Sequence, residues 1–93
     1  MSSNITRSQI RSMVIGVIRA DLGGEIPVRE ISRLGEDLGI SPDRREAYYL
    51  SIKKGVRAYG YDLLTSTPER FRACSVVKDM VDLVWTDASE QTN

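Results

Sequence analysis

Ser41 is the residue in this chain best placed to do chemistry. It follows Gly39-Ile40 and precedes Pro42-Asp43. That order is a helix start: a Ser N-cap, Pro where its missing N–H costs nothing, and an acid near the positive end of the dipole. A serine exposed there is a potential acceptor, because the dipole and free N–H groups favour a phosphate. The plain alternative is a cap alone, worth about 1 kcal/mol. Glu36-Asp37 are paired carboxylates that can bind a cation, but no base or second cluster accompanies them. Loop solvation, with a salt bridge to the basic helix, is the simpler reading. Cys74 is read as a small core residue, since nothing near it in sequence marks an activated thiolate.

A second group is cationic. Residues 43–61 hold Arg44, Arg45, Lys53, Lys54 and Arg57 against Asp43 and Glu46, whereas residues 62–93 carry three bases against six acids. A helix so loaded can present Arg44, Arg45, Lys53, Lys54 and Arg57 to an acidic protein partner or to phosphates. Cations late in a helix also complement its dipole, so a solvated face is the competing reading. Tyr48, Tyr49, Tyr59 and Tyr61 lie in the same region. Tyr49 and Tyr59 fall on the apolar spacing. Tyr48 is offset, either as a surface anchor for a partner or as cover for the edge of the core.

Composition removes several classes. The 93 residues contain 13 basic and 13 acidic side chains, no histidine and one cysteine. Ser-His-Asp and Cys-His catalysis are therefore excluded, as is a His- or Cys-rich metal site. A neutral chain has no global field for nucleic acid or membrane, and five clustered cations fall short of a nucleic-acid footprint. The lone cysteine and the lack of a long apolar run lead to the expectation of a soluble, cytoplasmic protein.

Four elements must position these groups. Thr6 and Gln9 form a capping box, and Ile10, Met13, Val14, Val17 and Ile18 give the first amphipathic helix, ended by Gly23-Gly24. A long connection from Glu25 to Ile40 stays apolar enough to lie on the bundle, with a short helical turn near 28–33. The second helix runs from about Pro42 to Tyr59, its inner face formed by Tyr49, Ile52, Val56 and Tyr59. Gly55 either weakens it or admits a close neighbour. Thr67-Pro68 starts a third helix with Phe71 and Cys74 facing inward. Ser75 is a further N-cap candidate, so this helix either breaks there or continues to Trp85. Val77, Met80, Val81 and Val84 form the last buried stripe.

Glu36-Asp37-Leu38-Gly39, a serine two residues later and a long helix resemble acyl carrier proteins, in which a Gly-Ala-Asp-Ser-Leu segment opens the second helix. Ser75 to Val84 resembles the family's last helix, and the order of elements matches over roughly residues 7–85. The resemblance implies an all-α, acyl-carrier-like bundle of three long helices and one short one. It also implies a phosphopantetheine arm on Ser41, transferred from coenzyme A, and acyl-transfer enzymes as partners. The chain departs from the family at that site. Ile40 replaces the preceding Asp, Pro42 the following apolar residue, and the second helix is basic where carriers are acidic.

The expectation is therefore a diverged, non-enzymatic member spanning residues 6–85, with polar tails at 1–5 and 86–93. It acts as a protein-binding or accessory module with no prosthetic group, through Arg44, Arg45, Tyr48, Lys53, Lys54 and Arg57. The alternative is a specialised acyl or aminoacyl carrier bearing phosphopantetheine on Ser41.

Overall fold

A computed structural model describes residues 5–91. Its elements are α1 (Arg7–Leu22), α2 (Pro42–Ala58), α3 (Pro68–Arg72) and α4 (Val77–Gln91). The fold is all-α, with three long helices and a short one, as the sequence implies. α1 packs on both α2 and α4, while α3 lies against α2.

Local chemistry sets most of the helix ends. Thr6 and Gln9 form the expected capping box, and α1 closes on Gly23 at φ +88°. That left-handed conformation suits glycine because it has no Cβ to clash. α1 buries Ile10, Val14 and Ile18. Met13 and Val17 are only half-buried, so the apolar stripe has a wet edge. Each fully buried aliphatic side chain stabilises the fold by about 1.5–3 kcal/mol.

The connection between α1 and α2 is irregular but pinned. Leu34, Leu38 and Ile40 enter the core, whereas Ile26 and Ile31 stay exposed. Near 28–33 the chain makes a single turn closed by Ser32 N–H on Arg29 O, short of a helix. Beyond it, the Glu30 and Ser32 carbonyls accept from Lys78 and Val77 N–H, and Leu34 N–H donates to Ser75 O. The loop thus satisfies first-turn donors of α4 that would otherwise lack partners. Asp79 completes the cap by accepting from Ser75 and Val76 N–H at 2.9 and 3.1 Å. Ser75 is not the cap residue, but the break it marks is real: α3 ends at Arg72, five residues before Val77.

Two expectations are corrected. The buried face of α2 is Tyr48, Ile52 and Val56. Tyr49 is half-buried, edge-on to Phe71 at 5.6 Å between centroids, and Tyr59 is an exposed C-cap. Tyr48 turns inward because its hydroxyl finds Asp21 on α1 at 2.5 Å, so its ring can be buried without stranding a polar group. The chain ends are also shorter than expected. Ile5 is core, and α4 continues to Gln91 with Asp87 and Ala88 buried. Residues 1–4 and 92–93 of the expected tails lie outside the described residues.

Asp87 explains the extension of α4. Its carboxylate accepts from Thr65 N–H at 2.8 Å, Thr65 Oγ1 at 2.5 Å and Ser66 N–H at 2.9 Å. Gln91 then clasps the Asp62 backbone, accepting from its N–H and donating to its carbonyl. The polar residues of the last turns are thus tied to the α2–α3 loop. Gly55 proves to be a contact point: a Cβ there would stand 2.6 Å from Met13 Sδ. Its missing side chain sets how closely α1 approaches α2.

Candidate functional site

Ser41 lies at the start of α2, exposed, with φ −67° and ψ 158°. Its Oγ accepts from Arg44 N–H at 3.3 Å. The loop behind it is wound tightly, with Ile40 N–H on Leu34 O at 2.8 Å and Gly39 at φ +66°. Ile40 is buried and Pro42 occupies the first helical position. The serine is thus held between a buried anchor and a rigid ring, its oxygen engaged as a cap.

The two arginines that follow are turned to structural use. Arg44 makes a bidentate pair with Asp21, Nε to Oδ2 at 2.6 Å and Nη2 to Oδ1 at 2.8 Å. The same carboxylate accepts from Tyr48, so one acid joins the end of α1 to the start of α2. Hydrogen bonds from Arg44 and then Tyr48 hold the Asp21 carboxyl below its ordinary range. Burial, and then Asp21, push the Tyr48 hydroxyl well above its own. Arg45 reaches the carbonyls of Ile40 and Cys74, both at 3.1 Å. A Cβ on Gly35 would stand 2.9 Å from its Nη2. Arg45 therefore ties the loop before α2 to the segment after α3. The sequence gives no local sign of these ties, because Asp21 and the Cys74 carbonyl are more than twenty residues away.

The cations at the other end of α2 are used differently. Lys53 leans toward Asp62 at 3.9 Å and over the Tyr49 ring at 5.5 Å. Among the described residues Lys54 and Arg57 have no acidic partner. Leu50 stands beside them, 67% exposed. Leu50, Ser51, Lys53, Lys54 and Arg57 line a hollow of about 440 Å³. The site predicted along the whole of α2 thus divides. Arg44, Arg45 and Tyr48 brace the fold, while Lys54 and Arg57 face solvent with Lys53 at their edge. The apolar member, Leu50, is the residue that charge counting misses; its spacing of four and seven to the two cations is the signal that finds it.

The remaining candidates are accounted for locally. Glu36 and Asp37 pair with Arg33 of their own loop rather than with α2, at 2.6 and 3.3 Å. Cys74 is buried, its thiol donating to Arg70 O at 3.3 Å, and burial pushes its pKa up to about 12. Such a thiol stays protonated at neutral pH. It borders a hollow of about 460 Å³ between α3 and α4, shared with Thr65, Arg70, Leu83 and Thr86. Among the described residues no group of three His, Cys, Asp or Glu could hold a metal ion, and no helix is long and apolar enough to cross a membrane.

Set against family models, curated proteins and solved structures, the chain finds no significant match.

Proposed function

We propose that the chain is a non-enzymatic helical binding module, of acyl-carrier-like build and without a prosthetic group, that docks a protein partner with an acidic surface through α2. The observation that carries this reading is the exposed run Leu50, Lys54 and Arg57. An exposed leucine beside two cations without acids offers a partner apolar area and a charge signature together. Complementary charge sets specificity and on-rate, and the apolar contact adds affinity. The absence of histidine from the sequence and the engagement of Ser41 as a cap favour binding over catalysis. One cysteine, buried, fits a cytoplasmic protein.

A second reading is a specialised carrier. One observation favours it: Ser41 is exposed at the start of α2. Its hydroxyl would accept phosphopantetheine from coenzyme A with a separate synthase, and the arm's thiol would carry an acyl or aminoacyl group.

One experiment separates the two. Native cell extract is passed over the wild-type chain, Ser41→Ala and the double variant Lys54→Glu/Arg57→Glu, and the bait's intact mass is measured after incubation with coenzyme A and a broad-specificity transferase. The binding module keeps its partners on Ser41→Ala, loses them on the charge reversal and gains no mass. A gain of one phosphopantetheine, absent from Ser41→Ala, would replace this reading with the carrier.

A further inference from the structure

α2 carries a second stripe on the side away from Tyr48, Ile52 and Val56. Asp43, Ala47, Leu50, Lys54 and Arg57 succeed one another at four, three, four and three residues, with Glu46 beside Ala47. That spacing is a single helix face. Five of the six residues are exposed, and Glu46 is partly so. The stripe is sorted by charge: acids in its first half, Leu50 in the middle, cations in its second half. Asp43 and Glu46 share one guanidinium, that of Arg72. The Asp43 side chain nonetheless remains 85% exposed. The surface is concave on both sides of Leu50. One hollow of about 370 Å³ is bordered by Ala47, Tyr49 and Pro68, and the other is the cationic one of about 440 Å³.

We propose that this stripe is the self-complementary interface of a weak homodimer, in which two α2 helices cross antiparallel about Leu50. The inference rests on the reading of α2 as the contact face and names a partner for it: a second copy of this chain. A two-fold axis at Leu50 sets Lys54 of one copy against Glu46 of the other, and Arg57 against Asp43, and each pairing occurs twice. The two Leu50 side chains meet at the axis, each beside a hollow of the other copy, and Ala47 leaves room for the helices to approach. A parallel arrangement would set acid against acid and base against base, which is unfavourable. The same patch on both subunits is what a two-fold dimer requires. A single helix face is small, below the roughly 1,200 Å² at which stable interfaces begin, so the association is weak and concentration-dependent.

Sedimentation equilibrium of the purified chain, from about 10 µM to about 1 mM, covers the affinities expected of so small a surface. The expected mass climbs from monomer toward dimer across that range and falls back in high salt. Asp43→Lys/Glu46→Lys and Lys54→Glu/Arg57→Glu each stay monomeric alone, because each sets like charges face to face. Their equimolar mixture dimerises, since each variant supplies the charges the other lacks. Circular dichroism checks that both are folded. If the first variant unfolds through Arg72, Leu50→Glu carries the test, because Leu50 is largely outside the core; it stays monomeric. A wild-type chain that is monomeric throughout, or a mixture no heavier than its components, overturns the dimer. If the wild type is monomeric while capture of extract proteins still depends on Lys54 and Arg57, self-association falls and the binding reading stands. If reversing Lys54 and Arg57 changes neither mass nor capture, both fall.

Discussion

At the scale of single residues, the structure separates polar side chains that hold the fold from those that do not. Asp87 is the clearest of the first kind. It is buried and answers three donors at once. Asp87→Ala leaves the buried Ser66 N–H without its acceptor and frees the more exposed Thr65 N–H and hydroxyl to water, and an unsatisfied buried donor costs about 1–3 kcal/mol. The expected loss is about 1–3 kcal/mol in urea unfolding, by the same measure. Asp87→Asn, which keeps one acceptor oxygen, should lose less. Ser41 belongs nearer the second kind. Ser41→Ala should cost only about 1 kcal/mol, the worth of an N-cap, and leave the helical circular dichroism unchanged. A loss several times larger would mean that Ser41 does more than cap α2.

At the scale of elements, Gly55 sets the α1–α2 contact. Alanine in mid-helix is ordinarily preferred over glycine by about 1 kcal/mol. Here the new Cβ meets Met13, so Gly55→Ala should gain less than that or destabilise, and Gly55→Val should cost about 1–3 kcal/mol by overpacking. In a Met13→Ala background the clash is gone. Gly55→Ala should then stabilise by about 0.5–1 kcal/mol, so the two substitutions are coupled in a thermal-melt cycle. This contact marks the border of what the sequence reveals. The helix starts at Thr6, Ser41 and Thr67 are legible because each signal lies within four residues of chain. The inner face of α2 is not, because 48-52-56 and 49-52-56-59 are both helical spacings. Asp21, 27 residues away, decides between them. The reach of α4 to Gln91 is hidden for the same reason, since it depends on Asp62, Thr65 and Ser66. Of the candidate site, the charge island is readable, but which cations are consumed by internal partners is a tertiary fact.

At the scale of the whole molecule, the ionisable groups predict how stability follows pH. Glu30 and Asp82 are held below the ordinary carboxylate range first by hydrogen bonds from Arg7, and Asp21 by Arg44. For Asp87 burial acts upward, but hydrogen bonds from Thr65 and Ser66 outweigh it and leave the group depressed. A depressed carboxyl contributes stability above its unfolded pKa, near 4, and loses it as pH falls through the folded value. On the alkaline side the sign reverses. Burial raises Cys74 to about 12 and raises Tyr48 beyond its usual range. Their contribution is complete below their unfolded pKa values, roughly 8.5 and 10, and is lost as pH rises through the folded ones. With no histidine in the chain, no side chain is left to titrate between. Urea midpoints should therefore form a plateau from about pH 5 to 8, falling on both sides. Asp87→Asn should lower the plateau and shallow its acid limb, because that carboxyl no longer gains a proton on unfolding, and Cys74→Ala should shallow only the alkaline limb. A midpoint that moved steadily between pH 6 and 8 would contradict the assignment, because no side chain of this chain is expected to ionise there.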